Sequence, residues 1–306
     1  MVKRILRVFP RRTSMTPDDD MAFVGESPLL RPEADEVHVS VTFTWDQNEG
    51  ERLAEAWNAF YPVVKLGGPA FNSPAEDFVP GMYLKRGVTI TSRGCDGNCW
   101  FCYVPKREGM IRTLLITDGH VIQDNNLLAC PMEHIEAVLK MCNHQNCTAR
   151  FLGGLDVFRF DGKMAARFCS LSHSPELWFA YDNPRQLAAL REVMHWLPDY
   201  RPEVRCYVLI GYPGDTFLKA TSRLEATRDA GVMPFAMLYH NNVGRPTSIE
   251  WRRFQRAWAR PAMMRKRQGD SLFKPEVAFA GVVSRPYENP SGRPVSSPQL
   301  QLTEAT

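Results

Sequence analysis

Residues 91–109 read TSRGCDGNCWFCYVPKREG and place Cys95, Cys99 and Cys102 in a C-x3-C-x2-C array. The run before them, GVTIT at 87–91, is β-branched and predicts a strand. Gly94 and Gly97 flank Cys95 and permit a tight turn. A short loop leaving a strand can therefore aim three thiolates at one point. Thiolates are soft ligands that suit iron–sulfur clusters or zinc. A structural zinc site takes four N or S ligands. The array is thus either a zinc knuckle completed by a distant Cys or His, or the holder of a four-iron cube. In such a cube one iron has no protein ligand and is free to bind a substrate or cosubstrate.

The composition bounds the rest. The chain has 306 residues, enough for one large domain or two smaller ones, with 44% hydrophobic and 23% charged residues, the balance of a soluble globular protein. Its formal net charge of +3 is too small by itself to imply nucleic-acid binding. No apolar run approaches the length of a membrane span. The N-terminus, MVKRILRVFPRR, lacks the apolar core and cleavage site of a secretory signal. These features predict a cytoplasmic protein with no membrane partner and with reduced thiols. Cys130, Cys142, Cys147, Cys169 and Cys206 are then free cysteines in core or helix positions, or, for Cys142 and Cys147, ligands of a second cluster.

Strands are expected at 3–8, 37–43 and 63–66, with a helix beginning at Thr16-Pro17-Asp18 and another over 46–61. This is a small Rossmann-like βαβαβ segment. A connector rich in Pro, Gly and aromatic residues follows at 70–86. From the cysteine strand onward a strand–helix unit recurs about every thirty residues. Two short strands around Asp118-Gly119 read as a hairpin. Helices are expected at 131–142, 161–169, 184–196 and 217–230, and strands at 148–152, 176–180, 204–210 and 233–238. The helix expected at 248–259 carries an apolar stripe of Trp251, Phe254 and Trp258 beside Arg252, Arg253 and Arg256. With Arg260, Arg265, Lys266 and Arg267 these form a basic cluster, which reads either as a solvated face or as a contact for nucleic acid. The expected domains are 1–86, 87–242, a helical extension at 243–285 and a disordered tail at 286–306.

With Phe101 before the last cysteine, the array resembles the C-x3-C-x-aromatic-C signature of the radical SAM (S-adenosylmethionine) superfamily. The resemblance implies a [4Fe–4S] cluster on Cys95, Cys99 and Cys102, with SAM on the open iron. It implies one-electron cleavage of SAM to a 5′-deoxyadenosyl radical that abstracts hydrogen from a substrate. It also implies a partial (β/α)6 barrel, an electron donor such as flavodoxin or ferredoxin, and a site at the carboxyl ends of the strands. By the same resemblance Phe101 and Tyr103 lie near the adenine, or else pack the loop. The superfamily's G-G-E motif is missing; Gln123-Asp124-Asn125-Asn126 stands in its place, with Asp124 and Asn125 as candidates for the SAM ammonium or as turn and cap residues. Asp156 and Asp182 end barrel strands and could bind ribose hydroxyls, the ammonium or substrate. Gly211 and Gly214 belong to a run, GYPGDT, that resembles one near the adenine in radical SAM proteins, unless Asp215 or Thr216 simply caps a helix.

LGGP at 66–69 resembles the end of a cobalamin-binding domain, but D-x-H-x-x-G is absent, which implies a reduced relative without cobalamin. The stretches VTFTWD, LGGPAF, QDNNLLAC, ELWFAYD and PFAMLYHN extend the resemblance to short radical SAM proteins of bacteria and their phages. Some of these modify DNA bases, so the implied substrate is a nucleobase, a nucleoside or another small molecule. The alternatives are a tRNA-modifying methyl- or methylthiotransferase and a non-catalytic zinc module on nucleic acid. Methylthio transfer needs a second set of three cysteines, and residues 1–86 contain none.

Overall fold

Alternation in ILRVF and EVHVS sends successive side chains to opposite faces of a strand, and this pattern shapes the N-terminal sheet. The structure is a computed structural model that describes residues 3–71, 77–197, 203–240 and 248–259. The N-terminal part contains β1 (Ile5–Phe9), β2 (Ala22–Val24), β3 (Glu36–Ser40), α1 (Gln47–Asn58) and β4 (Val64–Gly67). Its four strands run parallel in the order β2-β1-β3-β4. Leu6, Val8, Val37 and Val39 point to one face and pack with Leu53 and Trp57 of α1. The opposite face is polar. There Arg7 pairs with Asp19, Glu36 pairs with Lys3 and Lys65, and His38 meets the Tyr83 hydroxyl at 2.6 Å. Arg7 also donates to the Gly81 carbonyl at 3.1 Å, so the connector crosses this polar face.

The second part contains β5 (Val88–Thr89), β6 (Ser92–Arg93), α2 (Val104–Glu108), β7 (Arg112–Thr113), β8 (Val121–Ile122), α3 (Met132–His144), β9 (Arg150–Leu155), α4 (Gly162–Cys169), β10 (Glu176–Tyr181), α5 (Pro184–Trp196), β11 (Glu203–Ile210), α6 (Phe217–Asp229), β12 (Met233–Leu238) and α7 (Ile249–Trp258). Six strands run parallel in chain order, β5-β8-β9-β10-β11-β12. This is the α/β fold of an open parallel barrel, with all six carboxyl ends on one edge. The core lies between strands and helices, with Phe151, Phe168, Phe179, Leu177 and Leu190 buried in it. Pro234 is accommodated because β12 is an edge strand.

Two sequence expectations are corrected. No helix begins at Thr16: residues 13–21 form turns, and a short strand that was not expected, β2, follows. Asp19, expected in the first helical turn, instead pairs with Arg7 and accepts from the Met21 N–H at 3.0 Å. The hairpin around Asp118-Gly119 does not form either. β7 pairs antiparallel with β6, and β8 joins the large sheet beside β5 and β9. Arg260, Arg265, Lys266, Arg267 and the tail at 286–306 lie outside the described residues. No helix among the described residues is long and apolar enough to cross a membrane.

Trp57 is fully buried and its Nε1 donates to the Gly25 carbonyl at 3.0 Å. Trp57→Ala should therefore cost about 3–5 kcal/mol. Urea denaturation checks this; a loss below about 1 kcal/mol would mean that α1 does not anchor the N-terminal sheet.

Candidate functional site

The cysteine loop, residues 94–109, leaves the sheet just past β5 and is closed at its neck. The β6–β7 ribbon forms that neck, and the Leu114 N–H donates to the Thr91 carbonyl at 2.8 Å. Gly94 has φ +87, and a Cβ there would collide with the Met110 carbonyl, so only glycine lets the two sides of the neck approach. The Cys95 N–H donates to the Gly109 carbonyl at 3.2 Å. Behind the neck the buried Glu108 carboxylate gathers Arg93, Arg107 and Arg112 at 3.8, 2.9 and 3.4 Å.

Three consecutive residues at the end of β8 brace this loop. Asp124, 2% exposed, accepts from the Thr91 N–H at 2.6 Å, the Thr91 hydroxyl at 2.5 Å and the Ser92 hydroxyl at 2.9 Å. Burial pushes its carboxyl up, and the hydrogen bonds from Thr91 and Ser92 oppose that. Asn125 Oδ1 accepts from the Gly94 N–H at 3.1 Å. Asn126 Nδ2 points at Cys95 Sγ at 3.5 Å, and its Oδ1 is buried without a partner among the described residues. Gly153 of β9 passes so close to the Asp124 backbone that a Cβ would overlap the Asp124 carbonyl. In this geometry Asp124 and the Asn125 Oδ1 bond the cysteine loop.

Cys99 is exposed, while Cys95 and Cys102 are half-buried. Burial, with the Cys102 thiol and the Asp182 carboxylate nearby, pushes the Cys99 thiol up to about 11. Burial also raises Cys102, against the Val104 N–H at 3.4 Å from its sulfur. The Gly97 N–H lies 3.2 Å from Cys95 Sγ. As thiolates the three would repel one another, which is part of what raises Cys99, and a cation would relieve it. Among the described residues no three His, Cys, Asp or Glu side chains are grouped to hold one metal ion, so the expectation of three thiolates aimed at a single point is not met for a single ion. As a donor set, three thiols on one loop with N–H groups directed at two of them are the kind of ligands a four-iron cube takes.

The remaining candidates ring the same edge. Asp156 caps the turn after β9 through the Phe158 N–H at 3.0 Å and holds Arg159 at 3.2 Å. Arg159 in turn pairs with Asp96 of the cysteine loop. Asp182 follows β10; burial pushes its carboxyl up to about 6, against a backbone bond from Leu209 and the charge of Arg223. Tyr103 precedes α2, and burial with the nearby Tyr239 raises its phenol. Gly211 has φ +71, but a Cβ there would meet Leu238 at 2.8 Å and Trp251 at 3.2 Å, so its bareness serves packing. Gly214, φ +81, faces open space. Asp215 ties back to the Gly211 N–H at 2.8 Å and to Arg223 at 2.7 Å, while Thr216 caps α6.

Sequence reasoning missed Trp100. It is 63% exposed and touches Phe101, Tyr212 and Tyr239, with ring centroids 5.4, 5.6 and 5.6 Å away. The loop that leaves the β5 edge thus reaches the ends of β11 and β12 across the mouth. A tryptophan between two cysteines carries no signal of that reach. His240 lies against Trp45, the ring centroids 4.3 Å apart and the planes tilted by 40°, and joins the mouth to the N-terminal part.

No protein-family model matches the sequence, and no curated protein matches it. Among solved structures, the chain is similar to the radical S-adenosylmethionine methyltransferase TsrM from Kitasatospora setae, determined with cobalamin and a [4Fe–4S] cluster bound. The TM-score is 0.56 at 12% identity, over 78% of this chain and 75% of that one. The likeness is one of fold. The cobalamin belongs to that protein; in this chain the cleft at the carboxyl ends of β1 and β3 is lined by Phe9, Arg11, Thr42, Asp46 and Tyr83, with Arg11 paired to Asp46.

Two outcomes follow from this geometry. Asp124→Ala should strip three hydrogen bonds from the loop, cost about 3 kcal/mol and lower the iron bound on anaerobic reconstitution. Full iron content with only SAM affinity reduced would return Asp124 to a ligand-binding role. Asp182 binds its proton more tightly folded than unfolded, so its contribution to stability is lost as pH rises from about 4 through about 6. In the metal-free chain Asp182→Asn should remove that slope and gain on the order of 1–3 kcal/mol at pH 7 relative to the parent. Urea titrations of both chains on either side of the window check this; identical pH profiles would contradict it.

Proposed function

We propose that the chain is a radical SAM enzyme, with a [4Fe–4S] cluster on Cys95, Cys99 and Cys102 and SAM as cosubstrate. One observation carries the reading. A cysteine loop with the C-x3-C-W-F-C array hangs from the first strand of a six-stranded parallel sheet, at the edge where all six strands end. In open α/β sheets that edge is where ligands bind. The fold-level likeness to a radical SAM structure supports it.

Cys95, Cys99 and Cys102 would hold such a cluster, which would supply the electron for reductive cleavage of SAM to methionine and a 5′-deoxyadenosyl radical able to take hydrogen from a substrate. The chain's own residues prepare the site. The Asp124–Asn125–Asn126 run holds the loop in place, and the N–H groups of Gly97 and Val104 support thiolate charge on Cys95 and Cys102. Cys99, the exposed thiol, faces the mouth with Asp156 and Asp182 among its charged neighbours. Asp182 is the carboxylate assigned here to the ammonium or ribose hydroxyls of SAM; Asp156 already holds the Phe158 N–H and Arg159. Phe101, Tyr103 and Gly214 flank the same opening. A flavodoxin or ferredoxin in the cytoplasm would supply the electron. Cobalamin-dependent methyl transfer is not part of this reading, because the sequence lacks the D-x-H-x-x-G cobalt-ligating motif.

Anaerobic reconstitution with iron and sulfide should give a brown protein with about four irons per chain. SAM and a strong reductant should then yield 5′-deoxyadenosine, read by mass spectrometry. Cys95→Ala, Cys99→Ala and Cys102→Ala should each abolish it. Purification with zinc and no iron uptake would defeat the reading. Equal loss in Cys142→Ala or Cys147→Ala would replace the single cluster with two.

A further inference from the structure

Asn126 directly precedes a single helical turn, Leu127–Ala129, where an asparagine side chain ordinarily serves as the cap. Here it forms no cap bond, and only its backbone carbonyl serves the turn, accepting from the Ala129 N–H at 3.1 Å. The side chain is buried instead, 7% exposed, with Nδ2 at 3.5 Å from Cys95 Sγ. Its Oδ1 is buried without a partner among the described residues. A buried amide oxygen left unbonded is costly. Neither capping nor a closed hydrogen-bond network therefore accounts for this placement. The sulfur does. A thiolate can only accept, so the NH₂ edge of the amide faces it and the oxygen turns away.

The three thiols are served unequally. Cys95 receives two donors, the Gly97 N–H at 3.2 Å and Asn126 Nδ2. Cys102 receives the Val104 N–H at 3.4 Å, and the exposed Cys99 receives no donor among the described residues. Main-chain N–H groups are present in almost any sequence. The Asn126 donor exists only because of its side chain, so it is the adjustable one.

We propose that Asn126 is a positioning residue that sets the reduction potential of a cluster bound to Cys95, acting through the sulfur of that residue. The proposal rests on the radical SAM reading and adds how the site is tuned. Hydrogen bonds to the sulfurs are among the factors that set the potential of an iron–sulfur cluster. An added electron makes the ligating sulfur more negative, and a hydrogen bond strengthens as its acceptor gains charge. The Nδ2 bond thus favours the reduced state, and its loss should make reduction harder. A hydrogen bond to a charged group changes an equilibrium constant by about tenfold, which for one electron is about 59 mV.

The test is an anaerobic reductive titration of the full reconstituted protein, without SAM, followed by electron paramagnetic resonance and with iron counted for each variant. Asn126→Leu keeps the bulk, excludes water and removes the donor. Its midpoint potential should fall by the equivalent of about tenfold in the reduction equilibrium. Asn126→Gln restores an amide donor and should lie between Asn126→Leu and the parent. A side chain that only filled space would leave the potential of Asn126→Leu at the parent value. That result at full iron content, or a rise in potential, would overturn the proposal. Should Asn126→Leu take up no iron, the unaltered protein decides. With asparagine isotopically labelled at its side-chain nitrogen, the reduced cluster should show a magnetic coupling to that nitrogen that is missing in Asn126→Gln. A spectrum without such a coupling would equally overturn the proposal. If the unaltered protein takes up no iron, the radical SAM reading itself falls; if it loads iron and the potentials coincide, only the role of Asn126 falls.

Discussion

A single buried carboxylate holds the site together. Asp124 sits at the end of the second barrel strand and takes three hydrogen bonds from Thr91 and Ser92, which begin the cysteine loop. An ionised group at 2% exposure is costly unless it is fully bonded, and here the bonds all come from the element that must be positioned. The constraint propagates. Asn125 fixes Gly94, Asn126 reaches Cys95, and Gly153 lets β9 pass close beneath. The loop is thus held to the sheet and closed on itself at the same neck, where Ser92 of the β6–β7 ribbon also bonds Asp124.

What was legible in the sequence was local. α5 spans Pro184–Trp196 as expected because its start is written in adjacent residues: Asn183 caps it, and Gln186 bonds back to the Asn183 N–H at 2.9 Å. The β-branched and aromatic runs at 176–181 and 203–210 identify buried strands for the same reason. What was not legible depends on distant partners. Asp19 looks like a helix-start residue until Arg7 takes it. Residues 111–123 look like a hairpin until β6 supplies a better partner for β7. Asp124 occupies the place of a ligand-binding acid, and only the fold reveals its bonds to Thr91 and Ser92.

The N-terminal sheet shows the same logic at larger scale. A parallel sheet is normally covered on both faces and reads as continuous apolar strands. Here a single helix covers one face, and the strands alternate, leaving Arg7, Glu36, His38 and Lys65 on the other. Ion pairs and the connector cover that side in place of a helix. Aromatic rings gather at the mouth, where Trp100 links the cysteine loop to the last two strands and His240 lies against Trp45 of the N-terminal part.

The central claim is that three thiolates hold a cube with one iron left open to SAM. Electron paramagnetic resonance of the reduced, reconstituted protein addresses it most directly. The account predicts a [4Fe–4S]⁺ signal whose g-values shift when SAM is added, because SAM ligates the open iron. A signal indifferent to SAM would show a cluster with no vacant corner and would contradict the account.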